Sequence, residues 1–586
     1  MEYILLNRPD PALTLVEQVF LNRGIQPEDI EGYLNPSETN VIDATLLDNM
    51  DAGVAMLIKH ISNNDKIFLL VDVDCDGYTS AAALLNYLFQ LFPYYVENNV
   101  YYYSNPGKMH GIQPADVPED VKLVICPDSS SNSYEELEIL SKRGIDVLIL
   151  DHHEAEYYSE HACVINNQMS ENYENKTLSG VGVVYKFCTR IDELLGCSHS
   201  DHILDLTAIG MIGDMMDIRN LETKYLIEKG LSNLENIFLK RMRVAQDYPI
   251  SRHGGFDPYA VSFFIVPPIN ATIRVGTTAE KMILFEAMLD FKALNQIPST
   301  KRGCKGQYEA VVDQAVRNCT NIRNRQQKER DKGVEILEGI IQEKNLLDNK
   351  VLAIKLNPAF AMEKTITGLM ANQLMAKYQR PVLLLNQVVN DEGVVSWEGS
   401  ARGYSESSLT DFRQFLLDSP FGMYAQGHAN AFGFGILDDQ FEEFITYCNE
   451  ELKDLSTTPC HRVDMIYQGS NFPKKDILKV AELKSVWGQN IPEPMIAVEH
   501  INITDKNIQL LSPDKKPTLK IALSNGVELI KFDSSQEEYE SLLPEGNGCI
   551  TINIIATCGA NVWGGTITPQ LMVKDFEVVN AQKYYF

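Results

Sequence analysis

The chain has 586 residues, 45% hydrophobic and 22% charged, with a formal net charge of −29. That length exceeds one ordinary core and predicts three or four domains of a globular, not a disordered, protein. The acidity argues against coating of nucleic acid by bulk electrostatics, although it leaves room for a local basic track beside an acidic site.

No run of about 18 apolar residues occurs, so no membrane span is expected. The start, MEYILLNRPDPALTLVEQVF, lacks a basic opening and a small-residue cleavage site, so no secretory signal is expected. The eleven cysteines are scattered without a CxxC pair. They read as reduced thiols in a cytoplasmic compartment, and not as zinc ribbons.

In chain order, residues 1–55 read as helical, with turn signals at NRGIQPED and LNPSE. From 66 the texture changes. KIFLLVDVD is an apolar run without polar alternation, as a buried parallel strand shows, and an apolar helix (TSAAALLNYLFQLF) follows. KLVICPDSSSNS and IDVLILDHHEAE repeat the strand-then-loop pattern around the helix SYEELEILSKRG, before ILDLTAIGMIGDMMDI. Alternation of this kind predicts a doubly wound α/β domain, taken as 56–255, with a parallel sheet. Residues 256–349 read as a connecting region dominated by a long helix over 303–345. Its basic residues Arg317, Arg323, Arg325, Lys328, Arg330 and Lys332 form either a solvated face with intrahelical ion pairs or a nucleic-acid track. A smaller α/β lobe is expected over 350–450, a linker over 451–495, and a small β-barrel over 496–586.

Each strand of the first lobe ends in acid: Asp72, Asp74 and Asp76, then Asp128, then Asp151 followed by His152 and His153. Ligands in such sheets sit beyond the carboxyl ends of the strands, so these groups are expected to meet in one crevice. Asp72, Asp74 and Asp76 are two apart and share one face while the chain stays extended, with Gly77 turning it and a helix starting near Thr79 or Ser80. Carboxylate oxygen suits Mg²⁺ or Mn²⁺, and imidazole beside it favours a transition metal. An EF-hand would need an acid six residues past Gly77, where the chain has Ala83. Asp214, in GMIGDMMD, completes a set able to hold two cations about 3.5–4 Å apart through a shared carboxylate. Ser129, Ser130 and Ser131 lack the G-x-S-x-G elbow of a serine nucleophile and read as loop hydroxyls.

The ordered set DVDCDG, PDSSSN, DHH and IGMIGD resembles the DHH phosphoesterase superfamily. Downstream, ITGLMANQLMAKYQRPVLLL, GSARGYS and QGHANAFGF are similar to the DHHA1 substrate-binding domain. VPPINATIRVG, NVWGG and LNRGIQPEDIEGYLNP resemble the connecting region, OB-fold and N-terminal stretch of RecJ-type exonucleases, and a phage or prophage origin would suit so divergent a member. The resemblance implies an α/β fold: a parallel-sheet DHH domain joined by a long helix to a DHHA1 domain, with a C-terminal OB-fold. It also implies a single-strand DNA exonuclease using two Mn²⁺ or Mg²⁺ ions, digesting 5′→3′ to 5′-mononucleotides. Implied metal ligands are Asp74 and Asp76, one to each ion, with Asp72 in or near the ligand sphere, Asp128 bridging, and His152 and Asp214 completing the set. His153 would touch phosphate or orient a ligand; Arg402 and His428 would hold phosphate, with Ser400 and Gly427 shaping the loops. Asn270 and Arg274 would contact the DNA backbone, while Trp563 would pack the barrel. The chain departs from the usual pattern at Gln426-Gly427-His428, at Ser400-Ala401-Arg402-Gly403 and in the serines after Asp128. Implied partners are single-stranded DNA and a helicase or single-strand-binding protein, with the chain a monomer. Two alternatives stand beside this reading: an oligoribonuclease or small-nucleotide phosphodiesterase, and a nucleic-acid-binding scaffold without catalysis. The barrel and long basic connection favour polymer substrates over the first, and the intact carboxylate set weighs against the second.

Overall fold

The structure, a computed structural model, describes residues 1–106, 109–356, 366–390, 392–422, 424–456, 460–470, 472–488, 490–512, 516–543 and 548–582. The chain divides into two compact units, one of residues 31–326 with 485–492, the other of 1–30, 327–484 and 493–586.

The unit of residues 31–326 is built on a five-stranded sheet in the order Val100–Ser104, Lys66–Val71, Val121–Pro127, Asp146–Asp151, Cys163–Asn166. Every pairing in it is parallel. Its central strands are buried on both faces, as expected for apolar runs with no polar alternation. The helix Cys75–Leu91 covers the sheet and is itself almost wholly buried, packed by Gly180–Leu195 and Leu204–Gly213. The chain leaves Lys66–Val71 for one sheet edge and returns to its other side at Val121–Pro127. The topological switch point therefore lies between these two strands, immediately before Asp72 and Asp128.

In the other unit, a five-stranded sheet runs in the order Tyr424–His428, Ala431–Leu437, Val395–Arg402, Val382–Val389, Leu352–Leu356. Its core holds Trp397, Phe412, Phe432, Phe434 and Phe444. A seven-stranded mixed sheet follows, its longest pair being the hairpin Cys549–Trp563 and Thr566–Gln582. This sheet begins earlier than the 496 expected, because Met465–Gln468 pairs in parallel with Met495–Ile503. The N-terminus also departs from an all-helical reading: Glu2–Leu5 is a strand, parallel to Cys460–Val463. Four residues with one inward face cannot be told from a helix turn by periodicity alone.

The long helix spans Val311–Glu343, shorter at its start than expected because Tyr308–Ala310 pairs with Gln296–Pro298. Its basic residues are partly engaged by neighbours. Arg317 is bidentate on Glu309 (2.5 and 2.6 Å), and Arg330 meets Asp331 at 3.1 Å. Among the described residues, no helix is long and apolar enough to cross a membrane.

Candidate metal centre

The strand Lys66–Val71 stops one residue before Asp72, and the next helix begins at Cys75, four residues earlier than the sequence suggests. Asp72, Asp74 and Asp76 therefore do not line one extended face. Asp74 is the N-cap, its Oδ1 accepting the Gly77 amide at 2.9 Å, and Asp76 lies in the first helical turn. Asx capping outcompetes continuation of the strand because it satisfies an otherwise orphaned helix amide. Gly77 serves close approach: a Cβ there would stand 2.5 Å from the Asp72 Cβ.

The early turn sorts these carboxylates into two groups, each with ligand atoms within 4.8 Å of one another. Asp72 and Asp74 gather with Asp128; Asp76 gathers with His152 and Asp214. Asp128 stands where the groups meet, its Oδ1 3.2 Å from His152 Nε2. The same nitrogen lies 3.5 Å from Asp214 Oδ2 and 4.0 Å from Asp76 Oδ2. Asp214 follows helix Leu204–Gly213 as its C-cap, which carries it in from a distant part of the sequence.

Supports outside the predicted set hold these carboxylates. Asp76 accepts from Ser179 Oγ at 2.9 Å and from the amides of Gly180 at 2.7 Å and Val181 at 3.3 Å. These groups begin helix Gly180–Leu195, a terminus whose dipole favours an anion. Asp72 Oδ2 lies 2.6 Å from His110 Nδ1. Sequence reasoning missed both supports. A Ser-Gly pair opening an apolar helix (SGVGVV) was a readable sign of the first; nothing around His110 signalled the second.

Asp151 gathers with Asp128, His152 and His153, but both its oxygens are already committed to the loop. Its Oδ1 accepts the backbone amides of His152 (2.8 Å) and His153 (3.3 Å) and lies 2.7 Å from His153 Nδ1, while Oδ2 accepts from the Ser131 amide at 3.1 Å. Burial opposes its ionisation, yet the hydrogen bond and charge of His153, with His152 and Ser131, hold it below the usual carboxylate range. The same hydrogen bond raises His153 to about 9, so its ring is cationic at neutral pH and Nδ1 donates.

The remaining carboxyls are pushed the other way. Burial raises Asp72, Asp76 and Asp128, and for Asp128 the charges of Asp76, Asp74, Asp151 and Asp72 add to it. Asp214 is pushed up to about 8 by burial and then by Asp76 and Asp74. Burial lowers His152, which keeps its imidazole neutral and able to ligate. Asp72 Oδ1 and Asp128 Oδ1 are buried without a hydrogen-bond partner. Orphaned carboxylate oxygens, mutual repulsion and one neutral imidazole are a donor set that fits hard divalent cations of the Mn²⁺ or Mg²⁺ kind.

Without metal, the folded protein keeps on Asp214 a proton that the unfolded chain releases above pH about 4, so its contribution to stability falls as pH rises from about 4 towards about 8. A bound cation must displace that proton. Mn²⁺ is therefore expected to raise the melting temperature more at pH 8 than at pH 6, as thermal melts with and without EDTA would show; an equal shift at both pH values would contradict it.

The other predicted residues are carried by other elements. Asn270 and Arg274 are on helix Val266–Val275; Asn270 Oδ1 is buried without a partner, and Arg274 is exposed. Arg402 and His428 sit on neighbouring sides of one strand, each in register with Ala431, so both belong to one row of the second unit's sheet. Ser400, two residues before Arg402 on the same face, lies 3.1 Å from Thr367 Oγ1 through its hydroxyl. Gly427 has φ +135°, a conformation that favours glycine, and a Cβ there would meet Ala431 O at 2.8 Å. Trp563 does not pack a core: at the tip of its hairpin it is 83% exposed.

A model of the DHH family, N-terminal domain, matches residues 66–211, and one of the RecJ OB domain matches 464–575. The chain is 37% identical over 587 residues (100% of this chain, 99% of the relative) to YorK of Bacillus subtilis (strain 168), an SPbeta prophage-derived protein provisionally named a single-strand DNA-specific exonuclease. It is 24% identical to the single-stranded-DNA-specific exonuclease RecJ of the same organism, over 97% of this chain and 69% of RecJ. In fold it is similar to RecJ from Thermus thermophilus crystallised with Mn²⁺, with TM-score 0.67, 17% identity and coverage of 98% of this chain and 79% of that one.

Proposed function

This chain belongs to the DHH family of RecJ type, and from that premise we propose that it is a metal-dependent exonuclease hydrolysing the phosphodiesters of single-stranded DNA. The observation that carries the reading is the meeting of two ligand groups at Asp128, with its Oδ1 buried and unpartnered, at the switch point of a parallel sheet. Asp72, Asp74 and Asp128 would hold one divalent cation, and Asp76, His152 and Asp214 the other, with Asp128 reaching both. Bound there, such cations lower the pKa of a water and neutralise charge developing on phosphoryl oxygens.

The chain's own residues supply the rest. Asp151 fixes the His152 and His153 backbones and orients the His153 ring, whose charge suits a phosphate oxygen. In the second unit, the planar fork of Arg402 and the imidazole of His428 are assigned to phosphate, with Ser400 and Gly427 shaping their surroundings. Asn270 and Arg274 are assigned to the strand's backbone. Digestion from the 5′ end to 5′-mononucleotides, and a role in DNA repair or recombination, accord with the family.

The test uses Mn²⁺ with end-labelled single-stranded DNA, duplex DNA and dinucleotides. Mononucleotide release from single strands is expected; cleavage confined to dinucleotides would favour a small-substrate phosphodiesterase, and binding without cleavage a scaffold. Arg402→Ala is expected to lower turnover on DNA about a hundredfold while Mn²⁺ titration stays unchanged. Loss of metal affinity in that variant would refute its phosphate role.

A further inference from the structure

A row of stacked rings along residues 253–263 has no part in the catalytic assignments. His253 lies against Tyr259 with centroids 4.4 Å apart and planes 12° apart, and Tyr259 lies against Phe263 at 4.3 Å and 25°. Tyr259 is 42% and Phe263 57% exposed, while the His253 side chain is only 10% exposed and backs them. Single exposed aromatics are ordinary on a protein surface, whereas two adjacent stacked rings left this exposed mark a surface made to be covered.

The local backbone imposes the stack. Asp257 Oδ2 lies 3.0 Å from His253 Nε2, while its Oδ1 accepts the Ala260 amide at 2.8 Å and so caps the turn that begins at Pro258. Val261–Ile265 then winds as a π-helix, a widening found mostly at functional positions, and Tyr259 and Phe263 fall four apart on one face.

The local stretch of sequence has the opposite charge to the chain as a whole. Residues 237–263 contain Lys240, Arg241, Arg243 and Arg252 against Asp247 and Asp257, four positive and two negative, a formal +2 within a chain of −29. All four cations are exposed; Arg241 lies 3.7 Å from Asp313, and the Arg243 guanidinium lies 4.8 Å over the ring of Phe256. The π-helical turn packs on helix Leu204–Gly213, whose C-cap is Asp214 of the metal centre, and it leads directly into the helix bearing Asn270 and Arg274.

We propose that Phe263, backed by the stacked rings of Tyr259 and His253 and with Arg243 and Arg252 close in the chain, opens a base-stacking track along which a single-stranded polynucleotide reaches the metal centre. The inference rests on the nuclease reading above. Every base offers a π-face, so the free outer face of a ring at the end of such a stack holds a strand without reading its sequence, and nearby cations take its phosphates. A peptide-binding groove would instead be largely apolar, whereas these rings stand exposed with cations close in the chain.

The test compares two fluorescein-labelled probes of equal length, an oligothymidylate and an abasic deoxyribose-phosphate strand, binding to the full-length chain in EDTA so that neither is cut. Tyr259→Ala/Phe263→Ala is expected to weaken oligothymidylate binding about tenfold, with abasic binding unchanged. Tyr259→Phe, which keeps the ring, is expected to bind both as the parent does. Thermal melts in the same buffer check folding, and Phe263→Leu offers a gentler substitution that keeps apolar bulk but removes the π-face. Equal loss on both probes, or no loss on either, would overturn the track; the latter would leave the rings to a protein partner. A parent chain that degrades single-stranded DNA yet binds the two probes equally would sink this inference alone, whereas a parent that neither binds nor degrades DNA would sink the nuclease reading beneath it.

Discussion

Asp128→Ala is expected to reduce hydrolysis of single-stranded DNA by at least about a thousandfold while leaving a folded protein. Asp128 is 1% exposed, and its Oδ1 has no hydrogen-bond partner. A buried carboxyl crowded by Asp76, Asp74, Asp151 and Asp72, with His152 the one imidazole close to its Oδ1, destabilises the metal-free fold, so removing it relieves both burial and repulsion. One cost runs the other way. Asp128 has φ +59°, a left-handed conformation that aspartate tolerates better than alanine. Asp128→Asn keeps that tolerance and removes the charge, and it is expected to lose turnover equally while melting in EDTA no lower than the parent. The measurements are turnover in Mn²⁺ and melting temperature in EDTA; a well-folded variant with near-normal turnover would remove Asp128 from the mechanism.

The second large effect is expected from a residue with no chemistry of its own. In Gly180→Ala the added Cβ would stand 2.4 Å from both Cβ and Oδ1 of Asp128 and 2.7 Å from its Cα. Real carbon atoms do not approach so closely, and the clash includes backbone, so the Asp128 carboxylate must move or the start of helix Gly180–Leu195 must shift. Either displacement also disturbs Asp76, which accepts the Gly180 amide at 2.7 Å. Mn²⁺ affinity is expected to fall at least about tenfold and turnover about a hundredfold. Overpacking is expected to cost about 1–3 kcal/mol of stability. Gly339→Ala is the matched control: that glycine lies within helix Val311–Glu343 with open space around it, and alanine there is expected to be neutral or stabilising. Parent-like Mn²⁺ titration and turnover in Gly180→Ala would show that the close packing does not position Asp128.

Much of the first unit was readable because its signals are local. KIFLLV, KLVICP and DVLILD are apolar runs of strand length, each closed by an acid, and runs of that kind form only in a sheet covered on both faces. Where the chain turns was harder to read. Alternation of Asp72, Asp74 and Asp76 suggested one extended face, whereas capping by Asp74 starts the helix at once and separates Asp76 from the other two. The short strands Glu2–Leu5 and Met465–Gln468 escaped for another reason. Each pairs in parallel with a strand some distance along the chain, and four residues carry too little periodicity to announce themselves. Trp563 was misread because an aromatic beside Gly-Gly is compatible with a barrel core and with a hairpin tip, and only the pairing of Trp563 with Thr566 separates them.

By itself, the amino-acid sequence determined the kinds of donor available, their order along the chain and their attachment to the ends of buried strands, since hydrophobic runs and carboxylate chemistry act over a few residues. Tertiary structure alone decided which carboxylates gather closely enough to share a cation, which oxygen is left without a hydrogen-bond partner, and which glycines and amides hold the acids in place. Those outcomes depend on distances between segments as remote as Asp76, Asp128, Gly180 and Asp214, and such distances are set by packing around the helix Cys75–Leu91.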